Sequence, residues 1–349
     1  MSKLASYVGL SVPELLCELS AHPDVQTAIP TLLEQCGDIS RALRSTRVTA
    51  ANSTNTFGEQ QLSVDLEAQE LLMQWAKGCP VVRAVSSEEA TQLKEMNAEG
   101  SLVVCWDPLD GSSIVDCNWA VASIFGIWQV GQKGRQQVCS LLVIYGPRTT
   151  ALLSVCGHTF DLQLADSSGE SPVVVKSPCT ISKTGAKIFS PANLRAAQDL
   201  PAYNALLQQW MKDRLTLRYT GGIGPDVYQL FIKSQGVFCN PASPAAPAKL
   251  RLAYEVAPIA FLVEAAGGAT STGSGSALDV VRNCKRIRGG VANGARFGGG
   301  KGEVGEFTPS EGGLWGLVGA VEGCSSVCET SHGLTLRGSL AWREFHAFG

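Results

Sequence analysis

The chain has 349 residues, 45% hydrophobic and 17% charged, with a formal net charge of −3. That length suffices for one large or two closely packed α/β domains, and so small a net charge excludes a global basic field for nucleic acid or anionic membrane. No apolar stretch reaches the ~18 residues that a bilayer crossing needs, and twelve dispersed cysteines without a CxxC pair read as reduced thiols of an intracellular protein.

The first third is predicted to be helical. Ser11, with Pro13 in the first turn and Glu14 three positions on, makes a capping-box start for a helix over SVPELLCELSAH. Ile29, Leu32, Leu33, Cys36, Ile39 and Leu43 keep helical spacing, and a further helix over VDLEAQELLMQWAKG stops at Gly78. Strands follow in VVRAVS, SLVVCW, AVASIFGIW and QVCSLLVIYG, then in ALLSV and TFDLQL. After residue 180 the pattern mixes. A helix in LPAYNALLQQWMKD and a strand in RLTLRY precede a helix from Pro225 to Gln235 closed by Gly236, a strand GVFCN, and a helix APIAFLVEAAGG. That last helix is apolar almost all round and therefore buried. Helices, then strands, then mixed elements predict a layered α/β protein. From about residue 285 the chain is glycine-rich without a steady period and reads as linker or disorder.

Chemistry concentrates in WDPLDGSSIVD, where Asp107 and Asp110 stand at the end of an apolar run. Two carboxylates on one short segment repel each other unless a cation lies between them, and carboxylates with backbone carbonyls suit a hard cation such as Mg²⁺. The turn Gly111-Ser112-Ser113 can direct successive N–H groups at an anion. Taken alone, the same residues make a solvated turn. The adjacent acids Glu88 and Glu89 follow the apolar strand VVRAV, where α/β sheets place ligands, although such pairs also decorate surfaces. KLRLAYEV sets Lys249, Arg251, Tyr254 and Glu255 at the mouth of the buried helix. Upstream, FGEQQLSVD offers Glu59 and Asp65.

In this order, these segments resemble the fructose-1,6-bisphosphatase family of the lithium-sensitive phosphatase superfamily. WDPLDGSSIVDCNWAVASIFGIW, VIYGPRTT, FSPANLRA, LRYTGGIGPDV and AKLRLAYEVAPIAFLVEAAGG are similar to its sedoheptulose-1,7-bisphosphatase branch, over roughly residues 35 to 283. The resemblance implies an αβαβα sandwich. Residues 1–178 would form a helical and β part with most metal ligands, and 179–284 an α/β part gripping the distal phosphate; 285–349 would be an atypical glycine-rich tail. It further implies two or three Mg²⁺ ions, with Mn²⁺ as a substitute, held by Glu88, Asp107, Asp110, Glu255 and the Leu109 carbonyl. Glu59 falls at a further acid where the family usually has Asp. Asp65 and Glu89 would orient and deprotonate the attacking water. Gly111, Ser112 and Ser113 would hold the reacting phosphate. Asn193, Tyr219 and Lys249 would hold the distal phosphate and sugar, with Arg251 a further substrate contact. Arg218 would reach into a neighbouring subunit's site, implying a homodimer or tetramer. Asn240 stands where the fructose enzyme has a tyrosine, which would widen the distal end for a seven-carbon sugar.

The reaction so implied is Mg²⁺-dependent hydrolysis of the 1-phosphate of sedoheptulose 1,7-bisphosphate. The alternatives are fructose 1,6-bisphosphate or dual use, and, in another class, a sugar-phosphate-binding protein without turnover. Neither a membrane nor nucleic acid is an expected partner. The family's AMP-site Lys-Tyr pair is replaced by Ser101-Leu102, and ANSTNTFGEQ lacks the redox cysteines of the plant enzyme, so neither control is expected. The expected compartment is the cytoplasm, with the plastid stroma as the alternative.

Overall fold

The structure, a computed structural model, describes residues 7–55, 57–132, 134–164, 170–182, 185–248, 250–272, 275–279 and 316–318. It opens with helix α1 (Val12–Glu18), where the Glu14 carboxylate accepts both the N–H (2.8 Å) and the hydroxyl (2.7 Å) of Ser11. Helix α2 (Pro23–Ser45) buries the predicted stripe of Ile29, Leu32, Leu33, Cys36 and Ile39. A hairpin, β1 (Ala50–Thr54) and β2 (Gln60–Leu62), leads into α3 (Ser63–Gly78).

The next strands are β3 (Val82–Ser87), β4 (Lys94–Glu95) and β5 (Leu102–Asp110). After the helical turn α4 (Ser112–Val115) come β6 (Val121–Gln129), β7 (Gln137–Tyr145), β8 (Thr149–Val155), β9 (His158–Gln163) and β10 (Val173–Lys176). They form one sheet in the order β10-β9-β8-β7-β6-β5-β3-β4. β3 and β5 run parallel, so their C-terminal ends reach the same edge. The second half contributes β11 (Ile188–Pro191), α5 (Pro201–Lys212), β12 (Thr216–Leu217), α6 (Ile223–Lys233), β13 (Val237–Cys239), α7 (Ala257–Ala265), β14 (Ala269–Ser271) and β15 (Gly316–Val318). Its sheet runs β12-β11-β13-β15-β14.

Packing follows from burial on both sheet faces. Along β5 and β6, Val104, Trp106, Phe125 and Ile127 turn toward α1–α3, while Cys105, Ala122, Ile124 and Trp128 turn toward α6 and α7. On the outer face of the second sheet, Phe189, Val237 and Cys239 pack on Tyr203, Leu207 and Trp210 of α5. The layers therefore read helix, sheet, helix, sheet, helix, as the resemblance implied. No helix among the described residues is long and apolar enough to cross a membrane.

Three local outcomes differ from the sequence reading. β5 does not stop at Trp106 but continues to Asp110, with a register shift against β6 between Asp107 and Asp110. Pro108 lacks an N–H for the ladder, and its carbonyl turns to the Ser123 hydroxyl at 2.7 Å, so the acids sit on a bulge. RLTLRY yields a strand of two residues with one neighbour, at the edge of its sheet among the described residues. The tail, read as linker or disorder, supplies β15, which pairs antiparallel with both β13 and β14. The rest of the predicted tail lies outside the described residues.

Candidate active site

The acids converge because three chain segments end at one sheet edge. Glu88 follows β3 directly, and its N–H donates to the Trp106 carbonyl of β5 at 3.1 Å. Asp107 lies on the β5 bulge, its Oδ1 accepting the Leu109 N–H at 2.9 Å. Glu255 comes from the π-helical turn Leu252–Val256 ahead of α7. That turn is fastened to β3 by a hydrogen bond between Tyr254 and Ser86 hydroxyls at 2.8 Å. Carboxylate oxygens of Glu88, Asp107 and Glu255 all lie within 4.8 Å of one another, and all three residues are buried.

Burial is the first cause raising each of these carboxyls above its ordinary pKa. Mutual repulsion adds to it: Glu88, Asp110 and Glu255 act on Asp107, and Glu88 acts on Glu255. The Glu88 and Asp107 carboxyls come within hydrogen-bonding reach of each other. Two carboxylates hold that approach only with a shared proton or an intervening cation. Arg251 supplies one positive charge. Its Nη1 lies 2.9 Å from Glu88 Oε1, its Nη2 pairs with Glu59, and its guanidinium stacks 4.6 Å above the Phe57 ring. A set of buried oxygen donors with this excess of negative charge fits hard divalent cations.

Asp110 is turned elsewhere. Its Oδ2 accepts the Gly224 N–H at 2.7 Å and its Oδ1 the Ile223 N–H at 3.3 Å, so it caps α6 from the other sheet. This explains why α6 starts at Ile223 rather than at Pro225. Burial lifts the Asp110 pKa to about 7 against the lowering effect of those two donors. Asp65 accepts the Leu62 N–H at 2.8 Å at the start of α3 and also bonds the Ser112 side chain. Burial, with Glu89 and Glu88 adding repulsion, places Asp65 at about 7. Burial raises Glu89 too, while Gln61 donates its amide to the Glu89 carboxylate. Asp65 and Glu89 are thus electrostatic neighbours of the acid cluster.

A cleft of about 710 Å³ opens over this cluster. Glu59, Glu88, Asp107, Leu109, Asp110, Gly111, Ser112, Ser113, Arg251 and Glu255 line it from one side. Gly111 needs its left-handed φ of 83° to turn the chain from β5 into α4. From the second half, Asn193, Arg195, Tyr219 and Asn240 line the same cleft. Asn193 Nδ2 is engaged by the Pro241 and Ala246 carbonyls at 2.7 and 2.8 Å. Arg218 is exposed and does not line the cleft of its own chain. Lys249 lies outside the described residues.

Sequence reading missed several groups that position the site. Asn55 accepts the N–H groups of Phe57 and Glu59, both at 3.0 Å, and so shapes the loop carrying Glu59; an Asn ahead of a Gly turn is the signal that could have found it. Asp226 is fully buried and accepts the Thr220 N–H at 2.8 Å, fixing the glycine turn before α6. Ser123, buried in β6, hydrogen-bonds the Tyr145 hydroxyl at 2.8 Å and donates to Pro108, a link that local sequence does not display.

The comparisons with known proteins agree with this geometry. The family described as Fructose-1-6-bisphosphatase, N-terminal domain, matches residues 18–174, and its C-terminal domain counterpart matches residues 181–298. The chloroplastic sedoheptulose-1,7-bisphosphatase of Triticum aestivum is 39% identical over 297 residues, covering 83% of this chain and 75% of that protein. A class 1 fructose-1,6-bisphosphatase of Geobacter sulfurreducens is 34% identical over 251 residues, covering 69% and 78%. A Toxoplasma gondii crystal structure, provisionally named a sedoheptulose-1,7 bisphosphatase, superposes with a TM-score of 0.73 at 50% identity, covering 78% of this chain and 90% of that one. The Leishmania major fructose-1,6-bisphosphatase shares the fold at 23% identity, covering 77% of this chain and 90% of that one with a TM-score of 0.72. With both halves matched and relatives this similar over most of their length, the chain belongs to the fructose-1,6-bisphosphatase family.

Proposed function

We propose that this chain hydrolyses the 1-phosphate of sedoheptulose 1,7-bisphosphate in a Mg²⁺-dependent reaction. The observation that carries the proposal is the buried Glu88, Asp107 and Glu255 cluster at the floor of a cleft that the second sheet completes. Those three acids, with Asp110 and the Leu109 carbonyl, would hold two or three ions, and Glu59 faces the same space through Arg251. Bound divalent cations polarise phosphoryl oxygens and lower the pKa of water.

The remaining roles belong to the chain. Asp65, with a pKa near 7, accepts a proton from the attacking water, and Glu89 beside it fixes the water's orientation. Gly111, Ser112 and Ser113 bring the unpaired N–H groups of a helix start to the reacting phosphate. Asn193, Tyr219 and Lys249 would hold the distal phosphate and sugar, as the resemblance implies. Arg251 is held by Glu59 and Glu88; with those acids holding cations, it would be available to substrate. The proposed division into 1–178 and 179–284 is supported by β3 to β10 falling in the first span and β11 to β14 in the second, whose sheet also takes in β15. A homodimer is proposed from Arg218, which stands exposed between exposed Leu217 and Tyr219 beside an edge strand. For the compartment, fractionation of cells expressing the chain separates cytoplasm from plastid stroma; three of the relatives are named chloroplastic.

The seven-carbon preference rests on the 39 to 40% identity to sedoheptulose-1,7-bisphosphatases against 30 to 34% to fructose-1,6-bisphosphatases. Phosphate release with Mg²⁺ from sedoheptulose 1,7-bisphosphate, fructose 1,6-bisphosphate and inositol 1-phosphate, measured side by side, tests it. The largest kcat/KM is expected for the first. A larger value for fructose 1,6-bisphosphate would move the assignment within the family.

A further inference from the structure

Asn193 is held by its own chain. Both hydrogens of its amide are engaged by two main-chain carbonyls, Pro241 at 2.7 Å and Ala246 at 2.8 Å. Flipping the amide would set its oxygen against those carbonyls, so the assignment of nitrogen is fixed by its surroundings. Its Oδ1 is buried and finds no partner among the described residues. In this structure the amide is thus committed to its own chain. Asn193 has a different effect: with φ 48° and ψ 48° it turns the chain out of β11 into the short helix Leu194–Gln198. Two residues into that turn stands Arg195.

Arg195 lines the cleft and is exposed. Among the described residues no carboxylate pairs with it, in contrast to Arg251, whose guanidinium is bound by Glu59 and Glu88. Its charge acts on Tyr219, which lines the same cleft and whose hydroxyl it favours in the ionised form against burial. A guanidinium fork and a phenolic hydroxyl together present donors to phosphate oxygens, and a guanidinium matches that group in two parallel hydrogen bonds. Among the described residues, the two cations that line the cleft thus divide: Arg251 is neutralised by acids, and Arg195 is open on the wall of the second half.

We propose that Arg195 is a substrate-binding residue of this chain, its guanidinium taking the distal phosphate of a sugar bisphosphate beside Tyr219, with Asn193 the positioning residue that sets its loop. The inference rests on the bisphosphatase reading above. It predicts that the connection after β11 supplies a charge that holds the far end of the substrate.

Steady-state kinetics of full-length Arg195→Ala and Arg195→Lys with Mg²⁺ and sedoheptulose 1,7-bisphosphate test it, with sedoheptulose 7-phosphate as product inhibitor. Losing a charge-assisted contact of this kind should raise KM and the product inhibition constant about 10- to 100-fold in Arg195→Ala. kcat should stay within about threefold of wild type, since the contact is made equally in ground and transition states. Arg195→Lys should recover part of the loss. Inhibition by inorganic phosphate alone, at the reacting end, should not change. Unchanged KM and product inhibition in Arg195→Ala, in an enzyme whose wild type turns over, would overturn this inference and leave the bisphosphatase reading standing. A wild type that releases no phosphate from any sugar bisphosphate would overturn both.

Discussion

Gly224 donates its backbone N–H to the Asp110 carboxylate at 2.7 Å, across 114 positions of sequence, and so joins the bulge of the first sheet to the helix that opens the second half. The approach requires glycine. A Cβ at Gly224 would stand 2.3 Å from Ala122 Cβ, 3.0 Å from Asp110 Oδ2 and 3.2 Å from Leu142 Cδ1. Gly224→Ala is therefore expected to destabilise the protein by about 1–3 kcal/mol through overpacking and to lower activity by displacing Asp110. Gly78→Ala is the control, because its Cβ meets nothing within 4 Å at a helix end; it should be neutral or mildly stabilising. Denaturant unfolding of the two variants checks the contrast.

The acids also set how stability depends on pH. Burial holds Asp65 and Asp110 at about 7 in the folded chain, whereas an unfolded aspartate titrates near ~3.9. A folded pKa raised above its unfolded value gives a contribution that is full below the unfolded pKa and is lost as pH rises through the folded one. The metal-free protein should thus lose stability from about pH 4 to about pH 7, the reverse of a fold held by salt-bridged carboxylates. Excess Mg²⁺ favours the ionised acids, so it should raise Tm by roughly 5 to 10 °C near pH 8 and by much less near pH 5. Thermal melts in EDTA and in Mg²⁺ across this range decide it. A Mg²⁺ effect that does not vary with pH would contradict the link between these carboxyls and the ion.

The bulge that carries Asp107 depends on a hydroxyl relay. Ser123 Oγ donates to the Pro108 carbonyl at 2.7 Å and meets the Tyr145 hydroxyl at 2.8 Å, all in the buried middle of the sheet. Ser123→Ala takes the donor from the Pro108 carbonyl and leaves the Tyr145 phenol with the Cys36 thiol, at an expected cost of about 1–3 kcal/mol. The looser bulge should raise the Mg²⁺ concentration for half-maximal activity about 10-fold, with kcat at saturating Mg²⁺ little changed. A Mg²⁺ activation curve identical to wild type would show that the hydroxyl supports the fold alone.

How far the sequence could lead is clear from these same residues. The helix stripe of α2, the Ser11–Glu14 cap and the stop of α3 at Gly78 were readable because each depends on neighbours a few positions away. The acids of WDPLDG were readable as a group because like charges at close spacing already pose an electrostatic problem. The far ends of the long-range bonds were not readable. Asp110 reaching α6, Ser123 reaching Pro108 and Tyr254 reaching Ser86 each join segments that only the sheet order brings together. The strand formed by residues 316–318 was invisible for a related reason: a glycine-rich stretch has no periodicity, and its pairing partners β13 and β14 supply the order.

Asn240 lines the cleft, as does Phe238. Replacing it with the larger tyrosine should narrow the cleft there and reduce kcat/KM for the seven-carbon bisphosphate by about 10-fold or more relative to fructose 1,6-bisphosphate, in line with what a modest change in pocket size achieves. An unchanged ratio for Asn240→Tyr would remove position 240 from the determinants of sugar length.

If the buried acids act through divalent cations, phosphate release from sedoheptulose 1,7-bisphosphate by EDTA-treated protein must follow Mg²⁺ as it is titrated back. Wild type should be inactive without the ion and recover fully with it. Asp107→Asn should stay at least ~100-fold below wild type at every concentration, while its metal-free form melts higher because one buried charge has gone. Release that persists in EDTA, or an Asp107→Asn protein that recovers like wild type, would contradict the account.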